Sequence, residues 1–189
     1  MRKVILAISI LVFTRFITYG TLIRIPGDYS TIQDGINAAT DGDTVLVAPG
    51  NYKENINFKG KKIVVSSQYY LNPDPGSIVS TTIIDGSNPS HTDTASVVLF
   101  ISGEDSTSVL QGFTITGGKG TKWPDVHIGG LYREGGGILT EASSPVIKNN
   151  LIINNEAINK TGVKSAGGGA IRCDGGYPRI LNNVIKSNT

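Results

Sequence analysis

The chain has 189 residues and a formal net charge of +2, which includes Arg2, Lys3 and Arg15 near its start; the remainder carries −1. That balance is no footprint for nucleic acid, which would want a basic stripe, and the single cysteine, Cys173, excludes an internal disulfide. Glycine, at 24 residues, is near double its usual usage while aromatics make up only 7%, which suits thin layers of chain turned by glycine within a single domain.

In chain order, Arg2 and Lys3 precede residues 4–13, apolar except for Ser9, and Gly20 offers a small residue for cleavage. The run is too short to span a bilayer, so residues 1–20 read as a signal peptide and export is expected. Arg15, Phe16 and Ile17 blur the end of the apolar run, and a buried strand or retained anchor is the competing reading. Residues 21–25 read as a strand. Ser30-Thr31-Ile32-Gln33 has the capping-box spacing that opens a helix over residues 30–39, with Ile32, Ile36 and Ala39 on one face. Asp41-Gly42-Asp43 ends it before β structure resumes at residues 44–48. Such a helix would cover the apolar end and unpaired backbone of whatever sheet follows. Asp85, in an Asp-Gly pair at the end of an apolar run, is a turn signal rather than a catalytic acid.

Three later stretches carry the same parts in the same order. Residues 136–141 and 144–155 match 169–174 and 177–188 at a constant offset of 33, and a weaker copy 37 residues upstream sets Ile101, Leu110 and Ile115 under Ile138, Ile147 and Ile152. Repeats of this length indicate an array or solenoid. Each holds three short apolar runs, none long enough for a helix. The expected fold is therefore all-β: a right-handed parallel β-helix, or β-solenoid, over residues 21–189, with three strands per coil, coils about 4.8 Å apart and an amino-terminal capping helix. Asn149 over Asn182 and Asn150 over Asn183 predict amide ladders at one turn, against independent surface asparagines. Cys173 falls over Thr140 at an inward position, which predicts a small buried side chain.

Tyr29-Ser30-Thr31-Ile32-Gln33-Asp34-Gly35-Ile36-Asn37-Ala38-Ala39, Gly42-Asp43-Thr44-Val45-Leu46-Val47 and Pro49-Gly50-Asn51-Tyr52-Lys53-Glu54-Asn55 together resemble the amino-terminal signature of the pectin-lyase-like superfamily, which includes pectin methylesterases. The later Gly-Gly-Gly-Ile and Ser-Pro-x-Ile-x-Asn-Asn blocks resemble repeats of secreted and surface bacterial members. The resemblance implies the β-helix and an exported protein; it does not imply one chemistry, since lyases, esterases, epimerases and non-catalytic proteins share the fold. The Val-Asp-Phe and Gly-Arg-Pro-Trp blocks of the methylesterases are absent, and the one Gln-Asp pair, Gln33-Asp34, falls in the expected helix. The Asp-Asp pair and Gly-His-Gly block of polygalacturonases are absent too, and the calcium-binding aspartates of classical pectate lyases have no close counterpart. The sequence assigns no catalytic residue.

The repeat register suggests a site nonetheless. Taking Ile101, Ile138 and Ile171 as inward, alternation points Glu104, Glu141 and Asp174 outward as a column of carboxylates, a set whose chemistry suits calcium; solvated, splayed acids are the bland alternative. Two insertions, residues 117–134 and 156–166, enter just before the strands carrying these acids and would wall one face. Trp123, Tyr132 and Arg133 in the first, with Arg172 beside them, would suit a sugar chain, unless the two rings fold back over their own loop. His127 as a metal ligand finds only His91 to join it, at no ligand spacing. The chain ends directly after the third strand of a repeat, so an amino-terminal piece of a longer protein is expected. The functional expectation is an exported, monomeric protein of the secretome or cell surface that binds or acts on a polysaccharide, pectin-like or otherwise acidic. A non-catalytic structural or adhesin module is the rival.

Overall fold

The computed structural model describes residues 20–72, 77–124, 129–159 and 162–189, so the apolar leader, His127 and part of each insertion lie outside the described residues. Short strands dominate, and three sheets are wholly parallel. The first contains Leu22–Ile25, Thr44–Val47, Val64–Ser67, Val109–Gln111, Val146–Lys148 and Arg179–Leu181. The second contains Gly50–Tyr52, Thr82–Asp85, Thr114–Thr116, Leu151–Ile153 and Val184–Lys186. The third contains Ile56–Asn57, Val98–Phe100, Ile138–Glu141 and Ile171–Asp174. From Thr44 onward the chain visits first, second and third sheet in turn, adding one strand to each per circuit.

The apolar register sets this pairing. Ile23, Val45, Val65, Leu110, Ile147 and Ile180 are successive partners across the first sheet. Ile84, Ile115, Ile152 and Ile185 do the same in the second. Because side chains alternate along a strand, matching every second residue puts these columns in one shared interior. Phe58 and Phe100 fill part of it, their ring centroids 4.2 Å apart. The 33-residue offset holds throughout: Ile138, Ile147 and Ile152 pair with Ile171, Ile180 and Ile185.

Burial changes at the edge of the sheets, and the expected burial of Cys173 is corrected. Ile147 is fully buried, but Ile180 is 41% exposed, and Cys173 is exposed although it pairs with Thr140. Both belong to edge strands, whose inward side chains have a neighbour on one side only.

The helix runs Ile32–Ala38, and its cap sits one residue later than the Ser30–Gln33 spacing predicts. The Thr31 hydroxyl accepts from Asp34 N–H at 3.0 Å and donates to the Asp34 carboxylate at 2.7 Å. Gln33 is thereby released to accept from Asn57 N–H at 2.7 Å. Glu54 accepts from the N–H groups of Ile32 and Gln33, both at 2.9 Å, and Lys61 donates to the carbonyls of Ile36, Asn37 and Ala39. The two ends of the helix are thus closed by opposite charges placed to complement its dipole. Ile32 and Ile36 are fully buried, and the helix contacts Leu22–Ile25, Thr44–Val47 and Ile56–Asn57. It approaches so closely that a Cβ on Gly35 would lie 2.8 Å from Ile25 Cδ1.

The turns between first and second sheets use paired asparagines with divided labour. Asn149 and Asn182 take left-handed backbone conformations, with φ of 56° and 52°. Asn150 and Asn183 carry the ladder: Asn150 Oδ1 accepts from Phe113 N–H at 3.0 Å, Asn150 Nδ2 donates to Asn183 Oδ1 at 3.1 Å, and Asn183 Nδ2 donates to Ile147 O at 2.8 Å. A second ladder, which the sequence reading does not anticipate, joins Gly118 N–H, Asn155 and Asn188 in the same manner. Buried backbone at the turns is thus satisfied by amides from the neighbouring repeat.

Candidate functional site

The first insertion forms a hairpin. Gly120–Pro124 pairs antiparallel with Leu131–Glu134, and these join Thr94–Ala95 and Ser165–Gly167 in a fourth sheet just before the third. Trp123 stands directly opposite Tyr132, and both side chains are half-buried. Ser165, from the second insertion, continues the row beyond Tyr132.

Alternation decides what shares this face. Glu134, two residues after Tyr132, points the same way, while Lys122 and Arg133 point oppositely. Arg133 is accordingly 5% exposed, its guanidinium donating to the carbonyls of Thr92 at 3.0 Å and Gly120 at 2.8 Å and pairing with Asp93 at 3.3 Å. It holds the hairpin to Thr94–Ala95 and offers nothing to a sugar, so its expected place among the ligand-binding residues is corrected. Arg172 is placed differently. It lies on the outward side of the third sheet, its Nε 3.2 Å from Glu134 Oε1 and its Nη2 3.8 Å from Asp174 Oδ2, with its side chain 36% exposed. Arg172 therefore joins the aromatic-bearing sheet to the third sheet; Trp123, Tyr132, Arg172 and Asp174 are partly exposed, while Glu134, 5% exposed, holds Arg172 in place. Glu141 stands in register with Asp174.

The three-carboxylate column does not form. Glu141 and Asp174 are partners, but Val98, not Ile101, pairs with Ile138. The offset there is 40 rather than 37, because the link from Phe100 to Val109 is three residues longer than its counterpart from Thr140 to Val146. Glu104 lies in that longer link. It is 1% exposed, and its carboxylate accepts from Gly60 N–H at 2.8 Å, Ser102 N–H at 2.9 Å and Ser143 Oγ at 2.8 Å. Those donors use the oxygens a cation would need, and Arg172 already stands beside Asp174. The residues present do not fit calcium, and among the described residues no three His, Cys, Asp or Glu side chains converge as metal ligands. Asp85 serves its turn, accepting from Ser87 N–H at 3.0 Å.

Glu134 is the site residue that the sequence reading undervalues. The signal was present in its position two residues after Tyr132 on the same strand face, but only a predicted hairpin would have made that spacing meaningful. No protein-family model matches the chain, and no curated protein matches it. Among the described residues, no helix is long and apolar enough to cross a membrane.

Proposed function

We propose that the protein is an exported, right-handed parallel β-helix of the pectin-lyase-like kind whose hairpin-walled face binds polysaccharide at the cell surface or outside the cell. The cyclic visiting of three parallel sheets and the amide ladders support the coil, and Arg2, Lys3 and the apolar run behind them support export.

One observation carries the binding reading: the Trp123–Tyr132 cross-strand pair shares a face with the Glu134–Arg172–Asp174 ion-pair network. Aromatic faces pack against the apolar faces of sugar rings, and fixed polar groups beside them orient hydroxyls. The surface is built on strands rather than on loose loops, so a chain docking there meets a preformed platform. Its carboxylates, Glu134 and Asp174, are paired with Arg172, and the reading is one of binding.

Calorimetric titration of the purified protein with neutral and acidic oligosaccharides tests this. Trp123→Ala is expected to weaken binding by about tenfold, the loss of one well-packed aromatic contact. Binding unaffected by that change, or absent across the panel, would leave the structural or adhesin module as the better reading.

A further inference from the structure

A second cleft, of about 380 Å³, lies away from the hairpin, beside the turn between the first and second sheets. Its floor is Leu151 and Val184 on neighbouring strands of the second sheet, and one wall is Val79 of the short helix Ile78–Thr81. Tyr69 makes another wall, and Asn149 and Asn182 line the side toward the turn.

The placement of Tyr69 is built into the repeat. Gly112 occupies the turn position equivalent to Asn149 and Asn182, at φ 82°. A Cβ there would collide with Ser67 Oγ and lie 2.6 Å from Tyr69 Cβ, so glycine at this position lets Tyr69 lie over the turn. Asn149 and Asn182 differ from the ladder asparagines beside them. Their backbones serve the turn, but their side-chain amides form no hydrogen bond among the described residues, whereas Asn150 and Asn183 spend theirs on the interior. Two uncommitted amides on successive turns therefore border an aliphatic floor with one aromatic wall.

We infer that this cleft is a second carbohydrate site, specific for uncharged sugar. The volume and the mixture of apolar lining with a few placed polar groups are those of a small-ligand site. Each amide supplies both donor and acceptor, as a pair of sugar hydroxyls requires, while Leu151, Val184 and Tyr69 meet the ring's C–H faces. Among the described residues, no Lys, Arg or His lines the cleft to pair with a uronate carboxylate, and no Asp or Glu to pair with an amino sugar. Burying either charge there would go uncompensated.

Asn149→Gly and Asn182→Gly remove the amides yet keep a residue suited to positive φ, as Gly112 is in the preceding repeat. Asn154→Gly makes the same chemical change at another left-handed turn, φ 54°, outside the cleft. Titration would use cellotriose, maltotriose and trigalacturonate, with binding followed by calorimetry and by the amide resonances of Leu151 and Val184. The expected result is that a neutral trisaccharide shifts those resonances and trigalacturonate does not. The double variant N149G/N182G should lose at least about tenfold in affinity at that site, and Asn154→Gly should retain it. No shift at millimolar neutral sugar, equal binding by the double variant, or a preference for trigalacturonate would overturn the inference. Trp123→Ala separates the two sites: binding lost there but kept in N149G/N182G refutes the cleft and leaves the hairpin reading standing.

Discussion

Replacing Asn150 with alanine is expected to destabilise the fold by about 2–5 kcal/mol, although the residue is a polar one in a two-residue turn. Asn150 is 2% exposed; its Oδ1 accepts from Phe113 N–H, and its Nδ2 donates to Leu110 O at 3.2 Å and Asn183 Oδ1 at 3.1 Å. Phe113 has no exposed surface, so truncation leaves its N–H buried without that acceptor, a loss of about 1–3 kcal/mol. Each lost donation adds about 0.5–1.5 kcal/mol, toward the low end for Asn183, whose oxygen still accepts from Asn150 N–H. Asn149→Gly is the internal control, since it removes the neighbouring amide without orphaning a buried group and should change stability by less than about 1 kcal/mol. Urea denaturation with a common m-value measures both. If the two variants unfold at the same midpoint, the division of labour between turn and ladder asparagines is wrong.

Other expectations follow from the same geometry. Ile147→Ala should cost about 2–5 kcal/mol in urea unfolding, while Ile180→Ala, at a partly exposed edge position, should cost clearly less; equal costs would contradict the burial described. Glu54→Gln should weaken the cap on the first two N–H groups of the helix by about 1 kcal/mol, seen as a lower urea midpoint, and an unchanged midpoint would show that solvent caps it equally well. Asp43 has its carboxyl held below the ordinary value of 3.8 by the Thr40 N–H, against the opposing effect of burial, with further help from Thr21 N–H and the Thr40 hydroxyl. Its folded value being depressed, its stabilisation is present above the unfolded value and is lost as pH falls through the folded one. Asp43→Asn should therefore lower Tm at neutral pH and flatten the fall of Tm below pH 3.8; parallel curves would exclude Asp43 from the acid transition.

The sequence determined the register of the last two repeats because an ungapped offset of 33 fixes every apolar column at once, and a slip of one residue would turn those columns outward. It also determined the helix and its buried face, since Ile32 and Ile36 sit one turn apart. Tertiary structure decided what depends on meetings between distant segments. Thr31 rather than Ser30 caps the helix, and the Gln33 side chain that would have closed the capping box instead accepts from Asn57 N–H, far along the chain. Glu104 is buried rather than displayed because three extra residues fold it back onto Gly60 and Ser143, a change of path to which periodicity is blind. Arg133 and Arg172 read alike as exposed cations in sequence, yet one is buried and the other faces outward. Strand alternation within a hairpin, and the pairing of that hairpin with Thr94–Ala95, set the difference.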